Sequence, residues 1–336
     1  MSRHVAVVGA TGAVGQEFLR VLEQRKFTYD RITFLASSRS AGKTITFQGR
    51  PHTVVELTEK SFEGVDLALF SAGGSISKKF APIAAAAGTV VVDNSSAFRM
   101  DPQVPLVVPE VNPEDVKAHK GIIANPNCST IIMVVPVWPL HRVCPIQRLV
   151  VSTYQAASGA GYQAMLELEE QSRDVLAGKT VTPKILPHRL AFNLFSHNSK
   201  IGDNGYNEEE VKMVTETRKM FHSDAIQITA TCVRVPVFYA HSVALHIEFS
   251  APLSPEEARE ILANAPGVRV RDDLANAEFP TPLDVQHGDE VQVGRVRADP
   301  SVENGLALWV VGDNIRKGAA QNAVQIAEEM IRRKLV

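Results

Sequence analysis

The sequence predicts an α/β chain in two parts, a doubly wound parallel sheet followed by an α+β domain. Three observations predict it. Short apolar strands alternate with helical segments through the first third, a glycine-punctuated turn closes the first strand, and beyond residue 128 the strands lengthen and alternate apolar with polar positions.

In chain order, residues 5–8 (VAVV) are a short apolar run rich in β-branched residues, ended by Gly9. Residues 16–24 set Phe18, Leu19 and Leu22 on one helical face. Residues 32–36 form a second strand and 67–71 a third, the latter after the acidic turn at 63–66. Residues 78–87 are alanine-rich and helical, stopped by Gly88, and 89–93 (TVVVD) return to strand. Such strands, each followed by a helix, indicate a parallel sheet covered on both faces. Further on, 149–154, 225–237 and 243–249 are longer β-type runs. In the last of them Val243, Leu245, Ile247 and Phe249 alternate with Ala244, His246 and Glu248, which suits a sheet with one face buried and the other available. Residues 208–221 and 255–263 read as helices, and 175–204, rich in Pro, His, Asn and Gly, as loop. The tail 319–333 is an amphipathic helix with Ala323, Ile326, Ala327 and Met330 along one stripe.

Composition narrows the function. Over 336 residues the net charge is −2 with no basic run, which argues against nucleic-acid or membrane-surface binding. No stretch is long and apolar enough to span a bilayer. After Met1, Ser2, Arg3 and His4 the apolar run at 5–8 is too short for a signal-peptide core, so a cytoplasmic protein is expected. The three cysteines, Cys128, Cys144 and Cys232, are too few for a disulfide framework, and no Cys/His cluster has zinc spacing; no metal is expected. Cys144 and Cys232 sit in apolar surroundings and read as inert buried thiols.

The run from Val5 to Gly15 is strand, glycine turn and helix, with the spacing G-x-x-G-x-x-G of a Rossmann-type dinucleotide site. Gly9 permits the tight turn, Gly12 lets backbone approach a pyrophosphate, and Gly15 lets the helix sit on the strand. Thr11, Ala13 and Val14 complete the loop whose amides face the anion. A ligand-free glycine turn is the other reading of the same spacing. The second strand then selects the cofactor. An NAD site carries an acid at that strand's end; here Ser37, Ser38, Arg39 and Ser40 stand there, hydroxyls around a guanidinium, which suits a 2′-phosphate and hence NADP. Arg39 read alone is also an ordinary surface arginine.

Cys128 lies in ANPNCSTII, just before an apolar helical run. A helix N-terminus favours thiolate, so a nucleophile and a buried structural cysteine are both open readings of this segment.

Eight motifs then fall in one order: GATGAVG at 9–15, SSRSAG at 37–42, DNSSAFR at 93–99, NPNCST at 125–130, QAASGAG at 155–161, EEVK at 209–212, RVPVFYAH at 234–241 and DNIRKG at 313–318. In content and order they resemble the aspartate-β-semialdehyde dehydrogenase family over essentially the whole chain, with no departure at a motif position. The most specific of them are NPNCST and the downstream R-x6-H; variation falls in the loops. The resemblance implies that Cys128 forms an acyl thioester, that His241, placed just before a strand, is its acid/base, and that Gln155 orients the reacting carbonyl or a nearby water. It implies Arg234 for the substrate carboxylate, Glu209 for its ammonium, and Arg99 and Lys212 for phosphate. Ser158, Gly159 and Asn314 match positions near the nicotinamide. Residue type alone leaves bland alternatives: a structural His241, a polar strand end at Gln155, and a solvated helix face carrying Glu209 and Lys212 at i,i+3.

The implied organisation is an NADP-binding domain at 1–127 with the C-terminal helix 315–336, and a catalytic, substrate-binding and dimerisation domain at 128–314. The implied reaction is NADPH-dependent reductive dephosphorylation of L-4-aspartyl phosphate to L-aspartate 4-semialdehyde, in lysine, methionine, threonine and isoleucine biosynthesis, by a homodimer. The partners are then aspartyl phosphate, aspartate semialdehyde and phosphate. An N-acetyl-glutamyl-phosphate reductase runs the same chemistry, but the ammonium contact expected of Glu209 speaks against it. A non-catalytic binding homologue would be expected to lose the nucleophile or its base, and here Cys128, Gln155, Arg234 and His241 are all present.

Overall fold

The computed structural model describes residues 3–336; Met1 and Ser2, with which the reading of the N-terminus begins, lie outside it. The chain forms two compact units: residues up to Pro126 together with Ala319–Val336, and Asn127–Gly318. The expected divisions after 127 and after 314 differ from these by one and four residues.

In the first unit the elements are β1 (His4–Val8), α1 (Ala13–Gln24), β2 (Arg31–Ala36), the hairpin β3 (Thr44–Phe47) and β4 (Arg50–Thr53), β5 (Val55–Glu56), β6 (Leu67–Phe70), α2 (Gly74–Ala86), β7 (Val90–Asp93) and β8 (Ile122–Ala124). Six strands form one all-parallel sheet in the order β5-β2-β1-β6-β7-β8. The order reverses direction at β1, the switch point beside which doubly wound sheets bind ligands. β6 and β7 are buried along their whole length, as expected of parallel strands covered on both faces. The C-terminal helix Gln321–Arg332 belongs to this unit and buries Ala323, Val324, Ile326, Ala327 and Met330, the stripe its periodicity predicts plus Val324. α1 and α2 begin three and four residues before the predicted starts, because their first residues, AVG and GSIS, include glycine or serine and carry no periodic signal.

The second unit contains α3 (Cys128–Val143), β9 (Ile146–Gln155), α4 (Tyr162–Leu176), β10 (Phe195–Ser196), α5 (Glu208–Phe221), β11 (Gln227–Arg234), β12 (His241–Phe249), α6 (Pro255–Ala263), β13 (Val268–Val270), α7 (Pro282–Val285), β14 (Val291–Asp299) and β15 (Gly305–Gly312). Its seven-stranded mixed sheet runs β10-β11-β9-β12-β15-β14-β13. β11 and β9 are parallel, while β12 is antiparallel to both β9 and β15. Alternation decides which side is covered: His241, Val243, Leu245, Ile247 and Phe249 of β12 are buried, and α3 and α5 cover sheet strands. The α/β plus α+β class read from the sequence is the observed one.

Two differences have physical causes. α4 has no predicted counterpart because its buried face carries Glu167 and Gln171 beside Ala164, Met165 and Leu168, which breaks the apolar stripe. Those polar groups are used. Glu167 accepts from the amides of Lys184, Ile185 and Leu186, and Gln171 Oε1 from those of Leu190 and Ala191, so they order a stretch of loop. α3 runs through Pro136 and Pro139 without ending, since nearly its whole circumference is buried and apolar and holds it against the loss of two backbone donors. His241, placed just before the 243–249 strand by the sequence, is the first residue of β12.

Candidate active site

In the first unit the glycine turn has the geometry its spacing requires. Gly9 has φ +84°, and a Cβ there would stand 2.4 Å from the Ser71 carbonyl oxygen. A Cβ on Gly15 would stand 2.1 Å from the Gly9 oxygen, so only glycine lets α1 start so close to the strand. Gly12 is the N-cap of α1 and supplies no side-chain cap, which leaves first-turn amides open to a ligand. Thr11 and Gly12 are exposed, and Ala13 and Val14 half-buried. An open helix N-terminus at a switch point fits a pyrophosphate. After β2 the amides of Ser40 and Ala41 bond back to the Ser37 carbonyl, a tight turn that leaves Ser37, Ser38 and Arg39 exposed.

The same unit carries Arg99. It is buried, and its guanidinium donates to the carbonyls of Asn125 (2.9 Å) and Asn94 (3.1 Å). Asn125 in turn donates to Asn94 Oδ1 and accepts from Asn322 Nδ2. Asp93 accepts from the hydroxyls of Ser77 and Ser95. Asp93, Asn94, Ser95 and Arg99 of DNSSAFR are thus tied into hydrogen bonds, while Ser96 is exposed.

In the second unit, α3 delivers Cys128 as its first residue. Asn127 caps the helix, its Oδ1 accepting from the amides of Ser129 (3.0 Å) and Thr130 (3.1 Å). Asn127 is itself fixed by two carboxylates on α5: its amide donates to Glu216 and its Nδ2 to Glu209 Oε1. Cys128 Sγ lies 3.5 Å from His241 Nε2. His241 is fully buried, and burial first, then the Arg234 guanidinium, pushes its pKa down to about 3. Gln155 ends β9 and Arg234 ends β11, and they are register partners. Gln155 Nε2 donates to Ser129 Oγ (2.7 Å) and Glu209 Oε1 (3.0 Å). Burial alone would raise the Glu209 carboxyl, but Lys212, His197 and these donors together hold it at about 2. The i,i+3 pair is real: Lys212 Nζ is 3.1 Å from Glu209 Oε2. Ser158 Oγ donates to Asn314 Oδ1 at 3.0 Å. A Cβ on Gly159 would stand 3.1 Å from Arg234 Nη1 and 3.2 Å from the His241 ring.

This unit therefore brings Cys128, His241, Gln155, Glu209, Lys212, Arg234 and Gly159 into one connected cluster, with Ser158 and Asn314 paired in the same unit. Arg99 and the glycine turn belong to the other unit. The remaining cysteines, Cys144 and Cys232, are buried and free, and burial pushes Cys232 up to about 12. Among the described residues no group of His, Cys, Asp and Glu is arranged to hold a metal, and no helix is long and apolar enough to cross a membrane.

Sequence reasoning missed His197, Asn127 and Glu216. His197 Nε2 lies 2.9 Å from Arg234 Nη2 and anchors the guanidinium, yet it sits in a loop without periodic signal. Asn127 was legible as an N-cap residue, but its link to Glu216 joins segments far apart in sequence. Within the cluster, two buried side-chain atoms have no hydrogen-bond partner: Gln155 Oε1, an acceptor, and Arg234 Nε, a donor. An orphaned acceptor and an orphaned donor on register partners suit a small ligand bearing both an ammonium and a carboxylate.

Fold and site together define a dinucleotide-fold oxidoreductase whose second unit presents a thiol beside a histidine and a charged recognition cluster. Residues 4–119 match the semialdehyde dehydrogenase NAD binding domain and residues 137–317 the semialdehyde dehydrogenase dimerisation domain. An aspartate-semialdehyde dehydrogenase from Synechocystis sp. is 56% identical, covering 98% of this chain and 97% of its own length. One from Aquifex aeolicus is 55% identical over the full length of both. The crystal structure of aspartate semialdehyde dehydrogenase II from Vibrio cholerae, complexed with ASA, superposes with a TM-score of 0.96 at 47% identity, covering 99% of each chain. The chain belongs to the aspartate-semialdehyde dehydrogenase family. It is accordingly an oxidoreductase that uses a nicotinamide cofactor, and neither the N-acetyl-glutamyl-phosphate reductase nor the non-catalytic alternative is favoured.

Proposed function

We propose that the chain reduces L-4-aspartyl phosphate to L-aspartate 4-semialdehyde with release of phosphate, and runs the reverse reaction on the same residues. The contact that carries this reading is Cys128 Sγ to His241 Nε2, beside the orphaned atoms of Gln155 and Arg234. The sulfur of Cys128 attacks the acyl carbon and phosphate leaves, giving a thioester on the enzyme; splitting one hard step into two easier ones is the general advantage of covalent catalysis. The positive end of the α3 dipole favours the anionic sulfur. NADP supplies or takes the hydride when bound. His241 attends the sulfur as its acid/base partner, and Gln155 orients the reacting carbonyl or a nearby water. Arg234 holds the carboxylate, Glu209 the ammonium, and Arg99 and Lys212 the phosphate.

The first unit is assigned to NADP, with Gly9, Thr11, Gly12, Ala13 and Val14 at the pyrophosphate and Ser37, Ser38, Arg39 and Ser40 at the 2′-phosphate. Ser158, Gly159 and Asn314 are assigned to the nicotinamide end. An uncapped α1 and the absence of an acid after β2 support this choice. The second unit is assigned to catalysis and to homodimerisation, in line with the domain that it matches. A cytoplasmic enzyme feeding lysine, methionine, threonine and isoleucine synthesis follows from the same reading, and three free cysteines agree with a reducing compartment.

The test is phosphate-dependent reduction of NADP with aspartate semialdehyde set against N-acetyl-glutamate semialdehyde. Turnover with the first and not the second is expected. The opposite preference, or none without Cys128 modification, would remove the assignment.

A further inference from the structure

Asn127 caps α3 one residue before Cys128, and each of its polar atoms has a partner. Its backbone carbonyl accepts from the Ile131 amide, and its backbone amide donates to Glu216 Oε2 at 2.6 Å. Oδ1 accepts from the amides of Ser129 (3.0 Å) and Thr130 (3.1 Å), with the Thr130 hydroxyl at 3.4 Å. Nδ2 donates to Glu209 Oε1 at 2.7 Å. Chemistry leaves one orientation for this side-chain amide: two N–H groups can meet only its oxygen, and a carboxylate only its nitrogen. The helix cap and the carboxylate contact are therefore opposite ends of one rigid planar group.

The carboxylate belongs to the recognition cluster. Glu209 is buried, its Oε1 also accepts from Gln155 Nε2 at 3.0 Å, and its Oε2 meets Lys212 Nζ at 3.1 Å. An ionised carboxylate offers about two acceptor sites per oxygen. Asn127 and Gln155 fill those of Oε1 and Lys212 takes one on Oε2, so the open site is on Oε2. Rotating the carboxylate would give up both amide donors. On α5, Glu209, Met213 and Glu216 stand at i, i+4 and i+7 and all meet residues 127–130, Met213 Sδ accepting from the Thr130 hydroxyl at 3.4 Å.

We propose that Asn127 is a positioning residue with two separable tasks: its oxygen fixes the start of the helix that carries the nucleophile, and its nitrogen fixes which oxygen of Glu209 meets the substrate ammonium. This rests on Cys128 as nucleophile and Glu209 as ammonium partner. One planar amide then sets the reacting sulfur and the recognised nitrogen against each other, because the same group holds both.

Asn127→Ser separates the tasks. Serine caps a helix about as well as asparagine, but its hydroxyl ends short of the position of Nδ2. The KM for aspartate semialdehyde should rise about tenfold, the low end of what losing a hydrogen bond to a charged group costs, with kcat near wild type. The rate at which iodoacetamide modifies Cys128 in the ligand-free enzyme, and the melting temperature, should hardly change. Asn127→Ala gives up both tasks: the same rise in KM is joined by slower modification and a lower melting temperature, as the first turn of α3 loses its cap. In Glu209→Gln, which raises the KM by itself, adding Asn127→Ser should raise it no further, since both act through one carboxylate. A wild-type KM in Asn127→Ser overturns the proposal, and so does an additive rise in the double variant. Slower modification and a lower melting temperature in Asn127→Ser, together with the raised KM, also overturn it, since the two tasks are then one. A wild-type KM in Glu209→Gln instead removes the ammonium assignment of Glu209 and the second task with it. Full turnover in Cys128→Ser removes the nucleophile reading and the first.

Discussion

Gln155 and Arg234 are register partners across the parallel β9–β11 pair, and each holds one buried polar atom without a protein partner, Oε1 on one and Nε on the other. Register partners of a parallel pair project from the same side of the sheet. Leaving either unsatisfied costs about 1–3 kcal/mol, a cost that a complementary ligand recovers on binding.

Arg234→Lys tests this. Lysine cannot reproduce a planar fork that reaches the Ala156 carbonyl, His197 and a ligand at once. Loss of one charge-assisted contact should cost about 1.5–3 kcal/mol, roughly ten- to a hundredfold in kcat/KM for aspartate semialdehyde. Cofactor affinity should hardly change. Near-normal kinetics would take Arg234 out of the site, and a joint loss of melting temperature and both ligands would make it a structural arginine. Loss of Arg99 or Lys212 should instead chiefly raise the KM for phosphate in the oxidative direction. His197→Ala should follow Arg234 in raising the KM for semialdehyde, and His197→Asn, which keeps an acceptor, should recover part of it.

Cysteine chemistry separates the three thiols. Cys128 is half-exposed at a helix N-terminus, whereas Cys144 and Cys232 are buried and Cys232 is pushed up to about 12. Iodoacetamide should label Cys128 well before the others, by peptide mass mapping. Cys128→Ser should abolish turnover while binding NADP nearly as wild type.

Cofactor preference rests on Ser37, Ser38 and Arg39, exposed in the turn after β2. A strong preference for NADP is expected, weakened in Arg39→Ala. Comparable kcat/KM with NAD and NADP in the wild type would refute the 2′-phosphate assignment.

The buried histidines set a pH limit on stability. The folded-state pKa of His241 is lowered from 6.5 to about 3 by burial and then Arg234, and that of His197 from 6.5 to about 4 by burial foremost. Below pH 6.5 the unfolded chain takes up these protons and the folded chain does not, so stability falls with pH until about 4 and 3 respectively. Glu209, held at about 2, contributes stability above its ordinary 4.5 that is lost as pH drops further. Melting temperature should therefore decline between about pH 7 and pH 4, less steeply in His241→Gln. An equal slope in that variant would show that His241 is not the buried neutral group described here.

Much of this was legible in the sequence, for local reasons. The glycine turn, the parallel strands and the C-terminal helix declare themselves through spacing and periodicity over a few residues. Cys128, His241 and Arg234 emerged only through their motifs, since no local rule distinguishes a site histidine from a structural one. What stayed hidden depends on tertiary pairing. His197 acquires its meaning only when its loop lies beside β11. The Ala156 amide donates to His241 Nδ1 and is a backbone group that any residue type supplies, so no side-chain pattern can mark it. α4 escaped because the polar groups on its buried face serve the 184–191 segment.

Gly159 offers the sharpest separation of function from stability. It lies in the 3-10 turn after β9, and a methyl group there would stand 3.1 Å from Arg234 Nη1 and 3.2 Å from both Cε1 and Nε2 of His241. These approaches are a few tenths of an ångström tighter than ordinary contact, so something must give. Neither neighbour is loose: Arg234 is tied to Ala156 and His197, and His241 to Ala156 with its other nitrogen against Cys128. The backbone at Gly159 is not in the left-handed region, so alanine adds no dihedral strain and slightly narrows the unfolded ensemble. Gly159→Ala should thus leave the melting temperature close to wild type. Small misplacements of reacting groups are expensive, about a hundredfold for 1 Å, so a few tenths of an ångström at two groups should lower kcat/KM by roughly tenfold. Steady-state kinetics and a thermal melt on the same sample decide it. Wild-type kcat/KM would mean that the 3-10 turn shifts in place of the side chains, and that Gly159 does not set their positions.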